Sequence, residues 1–168
     1  SFDTTFYATG TGEYEGQGPH ANIRNIAPLS VYRVAMFVRA DSSIGTLQDL
    51  RGKRVSAGFS AQKAIARIIQ AHLANAGITY DDVEKVLTPN VKTSADDFSA
   101  GKTDVLFFAL GSAAVKQAAA SVGGLRVLPI DDSTAALERM EQVLPGSYVY
   151  QVKPEQRIEG INKTTNVI

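Results

Sequence analysis

The chain has 168 residues, 17 Lys plus Arg against 17 Asp plus Glu, two histidines and no cysteine. That length supports one domain with a real core, and the balanced charge gives no electrostatic reason to expect nucleic acid or an anionic membrane surface. Without cysteine there is no disulfide frame, thiolate nucleophile or cysteine metal site.

His20 and His72 stand too far apart in the chain to suggest a histidine metal centre. No apolar run nears the ~20 residues of a membrane span, so no membrane insertion is expected. The chain starts at Ser1 without Met and shows no signal peptide. It reads as mature, processed or cut from something longer.

In chain order, Ser1-Phe2-Asp3-Thr4-Thr5-Phe6-Tyr7 alternates enough to be a strand. Residues 8–20 have loop composition; the G-x-G-x-x-G pattern fails at Glu15 and no strong helix follows. Two apolar segments come next, 26–29 and 31–38, the second a strand candidate. Residues 46–50 read as one or two helical turns, with Thr46 as cap, Asp49 in the first turn and Gly52 as the stop.

Lys53-Arg54-Val55-Ser56-Ala57-Gly58-Phe59-Ser60-Ala61-Gln62-Lys63 then reads as strand, tight turn and helix start. In the helix to about Ala76, Ile65, Ile68, Ile69, Leu73 and Ala76 share a face, His72 lies beside it, and Gly77 is the natural stop. Residues 84–87 are a short strand. Ser94 with Asp97 resembles a capping box for a brief helix ending at Gly101. Residues 104–110 are apolar without alternation, as in a strand buried on both faces. Gly111-Ser112 opens a helix over 113–121, and Gly123-Gly124 ends it. A strand over 125–130, a helix opened by Asp131-Asp132-Ser133 and an extended run over 147–152 complete the series. Strand and helix alternate over short connections, which argues for an α/β domain with a mostly parallel sheet between helices.

Ligands of open α/β sheets sit beyond the carboxyl ends of the strands. Two small-residue turns occupy such places: Ser56 to Gln62 (Ser56, Gly58, Phe59, Ser60, Ala61, Gln62), and Leu110, Gly111, Ser112. Each sets N–H and O–H donors at a helix N-terminus, suited to a small carboxylate. The plain alternative is that Ser60 and Ser112 only cap their own helices. Tyr32 is a further candidate for ligand contact.

No catalytic residue, cofactor or metal is expected. Gly58-Phe59-Ser60-Ala61-Gln62 is not G-x-S-x-G, and neither histidine has an acidic partner by spacing. Asp81-Asp82, Asp96-Asp97 and Asp131-Asp132 open helices or turns, where acids complement the dipole. Asn162-Lys163-Thr164 fits the glycosylation pattern, which is too short to carry much information.

Leu47-Gln48-Asp49-Leu50-Arg51-Gly52-Lys53-Arg54-Val55 resembles a signature of type II periplasmic binding proteins. Tyr14-Glu15-Gly16-Gln17-Gly18-Pro19, Gly77-Ile78-Thr79-Tyr80-Asp81-Asp82-Val83, Gly101-Lys102-Thr103-Asp104-Val105-Leu106-Phe107-Phe108 and Leu125-Arg126-Val127-Leu128-Pro129-Ile130-Asp131 resemble, in order and spacing, the TAXI family. Those are the solute-binding proteins of TRAP-type transporters.

The resemblance implies a protein about twice this long, with two α/β lobes closing on ligand. Residues 1–33 would be a remnant of the first lobe and the approach to the hinge, 34–150 the second lobe, and 151–168 the return. It implies a periplasmic, signal-peptide-cleaved subunit that hands a small organic acid or amino acid to a TRAP membrane permease. Members commonly carry a Gly-Ser-Gly-Thr-like turn; here Ser60 keeps a hydroxyl, while Phe59 and Gln62 change the shape and are expected to select the carboxylate. Two other functions share the fold: the ligand-sensing domain of a transcription regulator, for which no DNA-binding module is visible, and a transferase, for which no catalytic set is visible.

Overall fold

Strand β1, Val34–Arg39, decides the layering. Val34, Met36 and Val38 enter one core cluster and Ala35 and Phe37 enter the other, the period-two alternation of a strand covered on both faces. The computed structural model describes residues 2–24, 26–27, 31–155 and 157–168. The first cluster takes Ile68, Ile69, Ala71 and Leu73 from α2 (Lys63–Asn75) and Met140 from α5 (Thr134–Val143). The second takes Ala95 and Phe98 from α3 (Val91–Ser99) and Val115, Ala118, Ala119 and Val122 from α4 (Ala113–Val122). The result is helix, sheet, helix. Each fully buried side chain of the strand, such as Met36 or Phe37, contributes about 1.5–3 kcal/mol.

β4 (Leu106–Ala109) and β5 (Leu125–Leu128) flank β1, and Met36 faces both Phe107 and Leu128. β2 (Arg54–Gly58) pairs with β3 (Glu84–Thr88), Gly58 opposite Thr88. β6 (Tyr150–Val152) pairs with β7 (Thr165–Val167). The α/β class is as expected, but the pairing is mixed. Among the described strand pairs only β2–β3 is parallel, and β1 runs antiparallel to both neighbours. Helix crossovers explain this. β2 leads to β3 through α2, and β4 to β5 through α4, so each pair shares a direction. Only a 3-10 turn, Gln48–Leu50, separates β1 from β2, and β1 is inserted the other way. Arg54 ties β2 beside β4. Its guanidinium pairs with Asp104 at 2.6 Å, and Asp104 N–H donates to Arg54 O at 2.9 Å. The side-chain hydrogen bond from Arg54 is the largest cause holding the Asp104 carboxyl below the usual range.

Four local expectations are corrected. The alternating run at the N-terminus is not a strand but helix α1, Phe2–Thr9. Among the described residues it pairs with no strand; its aromatics instead find cations and rings. The Arg67 guanidinium lies 5.0 Å from the Phe6 ring centroid, and Tyr7 stacks on His20 at 4.1 Å. Arg67 also pairs with Glu13 and donates to Val143 O, so the N-terminal segment is clamped to α2 and α5. The expected strand over 31–38 is shorter, because Val31 and Tyr32 are exposed. Thr46 is not a cap; Asp49 instead reaches back to the N–H groups of Gly45 and Thr46. Ser94 does not open a helix. Asn90 caps α3 through Thr93 N–H, one turn earlier, and Ser94 is buried inside it. Ser1, in the alternating N-terminal run, and Pro28 and Leu29, in the apolar segment 26–29, lie outside the described residues. Among the described residues no helix is long and apolar enough to cross a membrane.

Candidate functional site

The backbone leaves β2 through two consecutive residues with positive φ, Gly58 at 87° and Phe59 at 47°. Glycine adopts this region freely, but for phenylalanine it costs about 1–3 kcal/mol. Burial holds it there. Phe59 is fully buried in the cluster beneath α2, and its N–H donates to Thr88 O at 2.7 Å. Phe59 therefore anchors the turn from below, its ring in the core and not at the surface of the turn. An inward aromatic in a left-handed turn has no compositional signature.

The donors are redistributed as well. Ala61 N–H donates to Pro89 O at 3.0 Å, and Gln62 N–H donates to Phe59 O at 2.8 Å. The Gln62 side-chain carbonyl accepts from Val91 N–H at 2.9 Å, closing the start of the neighbouring helix α3. So the backbone N–H groups of Ala61 and Gln62, two expected donors, are used internally. Ser60 remains exposed, and among the described residues its N–H and hydroxyl have no hydrogen-bond partner. Among the described residues no side chain caps α2. The N–H groups of Lys63 and Ala64, in its first turn, have no intrahelical acceptor by helix geometry. These two residues were missed in the sequence; the start of the helix at Lys63 was the signal for them.

Ser56 is structural. It is 2% exposed, and its hydroxyl shares a 2.8 Å hydrogen bond with the Ser94 hydroxyl. Its carbonyl accepts from the Tyr80 hydroxyl, whose pKa burial pushes up. His72 is structural too. It is fully buried, its Nδ1 stands 2.9 Å from Ile68 O, and its ring meets Phe107 edge-on. Burial lowers its pKa to about 4.

Leu110, Gly111 and Ser112 form a second group. Leu110 N–H donates to Arg33 O at 3.0 Å, which brings the adjacent exposed Tyr32 near this turn. Gly111 turns at φ 72°. The Ser112 hydroxyl accepts from Val115 N–H at 3.3 Å, the ordinary capping role. Among the described residues no hydrogen bond or ion pair joins this group to the turn at 58–62.

Charge repeats at three helix starts. The first turns of α2, α3 and α4 contain no acid, and the exposed lysines Lys63, Lys92 and Lys116 stand there. Cations at a helix N-terminus are unfavourable by ~0.3–1 kcal/mol each unless an anion is near. The acid pairs expected to be structural are accounted for in part: Asp82 caps Thr79 N–H, Asp131 accepts from Ser133 N–H, and Asp97 pairs with Lys102. The arrangement can hold an oxyanion at Ser60 and the start of α2. Among the described residues no base stands within hydrogen-bond reach of the Ser60 hydroxyl.

A model of the NMT1-like family matches residues 4–158, and the chain belongs to that family. Among solved structures, the chain is similar to the periplasmic aliphatic sulphonate binding protein SsuA from Escherichia coli. Identity is 21% over 57% of this chain and 29% of that one, with a TM-score of 0.46. The alkanesulfonate-binding protein SsuA from Xanthomonas axonopodis pv. citri, bound to MOPS, gives 20% identity over 61% and 35% of the two chains and a TM-score of 0.43. An arginine-bound mutant of ArgBP from T. maritima gives 20% over 70% and 56%, with a TM-score of 0.39. The chain thus spans about a third of the length of these two SsuA proteins and 56% of that ArgBP chain.

Proposed function

We propose that this member of the NMT1-like family is the second lobe of an extracytoplasmic solute-binding protein that captures a small carboxylate or amino acid and does no chemistry on it. The observation that carries the reading is the uncapped N-terminus of α2 beside the free donors of Ser60. A helix start with orphan N–H groups, an exposed hydroxyl and a lysine rim suits a carboxylate. Family membership and the sequence resemblance to TAXI proteins support a role with a TRAP-type permease in the periplasm. In this reading residues 1–33 and 151–168 connect to a first lobe, which closes over the ligand. Closure then converts differential affinity into a signal to the permease.

Calorimetry of the full-length protein against a panel of organic acids and amino acids tests this. Saturable binding of one carboxylate class is expected, weakened about tenfold by Ser60→Ala, the loss of one hydrogen bond of roughly 1.4 kcal/mol. Failure of every anionic ligand to bind overturns the reading. The 168-residue chain alone is expected to bind more weakly than the whole protein, since half the contacts are missing.

A further inference from the structure

We propose that a cavity at the outer edge of β5 is a second anion site, for a small organic anion with carboxylate or phosphate oxygens. It lies away from the α2 turn and goes beyond the function proposed above. The cavity has a volume of about 610 Å³ and is lined by Arg126, Gln151, Asn162, Lys163, Thr164 and Asn166, among others, and among the described residues no Asp or Glu lines it. That volume falls in the range of small-molecule sites. Two cations and several neutral donors therefore face a space with no acid among the described residues of its wall.

Arg126 is held in place. Its Nη2 donates to Ser42 O at 2.8 Å and to Ile44 O at 2.7 Å. These bonds fix the planar fork, yet among the described residues the buried Nε has no partner. Among the described residues, neither Arg126 nor Lys163 has a carboxylate within ion-pair distance. A buried N–H on a permanent cation is costly to leave unmatched, and a fixed guanidinium suits an oxyanion.

The 160–166 part of the lining is also held in place. Val127 N–H donates to Gly160 O at 3.0 Å, and Ile130 N–H donates to Asn166 O at 3.0 Å. The Thr165 hydroxyl donates to Lys163 O at 2.7 Å. Gly160, at φ 80°, lets the loop approach so closely that a Cβ there would lie 3.2 Å from Val127 N. Asn162, Lys163 and Thr164 stay exposed at the mouth.

The test is a nitrogen-15 NMR titration of the 168-residue chain, once with inorganic phosphate and once with succinate. Expected are saturable shifts at the Arg126 Nε and at residues 160–166; the probe that produces them assigns phosphate or carboxylate as the preferred head group, and both doing so supports the shared chemistry. Lys163→Gln is expected to weaken the affinity about tenfold, the loss of one charge-assisted contact. Arg126→Lys, which keeps the charge and loses the fork, is expected to weaken it more. Should that variant fail to fold, Lys163→Gln alone decides, since its side chain holds no structural bond. Lys63→Gln is expected to leave these shifts unchanged, which separates this site from the one at α2. No saturable shift with either probe, shifts confined to residues 58–64, or an unchanged affinity in Lys163→Gln overturns the proposal.

Discussion

The turns at 58–62 and 110–112 open helices with similar small residues, yet their hydrogen bonding is opposite. At α4, Ser112 closes its own helix through Val115 N–H. At α2, the residue in the capping position is Gln62, and its side chain leaves to close α3. The α2 turn is lashed backward to Thr88 and Pro89 while the start of its helix stays bare. An anion site is therefore not defined by small residues at a helix start. It is defined by which donors the fold has left over.

The largest test of that contrast is Phe59→Ala. If the buried ring is what holds residue 59 at positive φ, the variant loses about 3–5 kcal/mol of stability in denaturant melts, less any strain released. A loss below ~1 kcal/mol would mean that the turn holds its shape without its anchor. Acid tests the core beneath α2, where His72 is buried against Phe107. Burial lowers the folded pKa of His72 from 6.5 to about 4. Between those values the unfolded chain binds the extra proton, so stability falls as pH drops, by about 3 kcal/mol across the window. The contribution is whole above pH ~6.5 and gone below ~4. Melts of His72→Leu should lose this slope; an unchanged pH profile would show that other groups set it.

The contrast was half visible in the sequence. Helical periodicity located α2 and α5, small-residue turns bracketed α4, and the left-handed stops at Gly77 and Gly123 fell at the expected ends of α2 and α4. These features are local, and local spacing determines them. The direction of β1 is not local. It depends on how a strand joined to β2 through a 3-10 turn, with no helix crossover between them, inserts between β4 and β5. Side-chain destinations are not local either. Gln62 reaching Val91 and Ser56 reaching Ser94 are contacts across 29 and 38 residues. Ser60 could be picked out as a hydroxyl before a helix, but nothing in the sequence showed that Ala61 N–H would be consumed by Pro89 or that Phe59 would turn inward.

The two capping side chains give intermediate effects. Ser112→Ala removes the α4 cap and should cost about 1 kcal/mol, within the usual range of 0.5–2. Gln62→Ala frees Val91 N–H and should cost about 0.5–1.5 kcal/mol, felt at α3 and not at α2. Hydrogen exchange can locate both losses. Faster exchange in the first turn of α2 after Gln62→Ala would contradict the assignment of this amide to α3.

The smallest expected effect on stability is the most discriminating. Ser60→Ala removes an exposed hydroxyl with no hydrogen-bond partner among the described residues, so the melt should move by less than ~0.5 kcal/mol. Ser112→Ala, chemically the same change, should be about twice as costly or more. In the full-length protein the order should reverse for ligand affinity. Ser60 holds its donor in reserve, whereas the Ser112 hydroxyl is already engaged by its own helix. A Ser60→Ala protein as destabilised as Ser112→Ala would show that Ser60 is a hidden cap. The bare end of α2 would then be an ordinary helix start, and the proposed carboxylate would lose its seat.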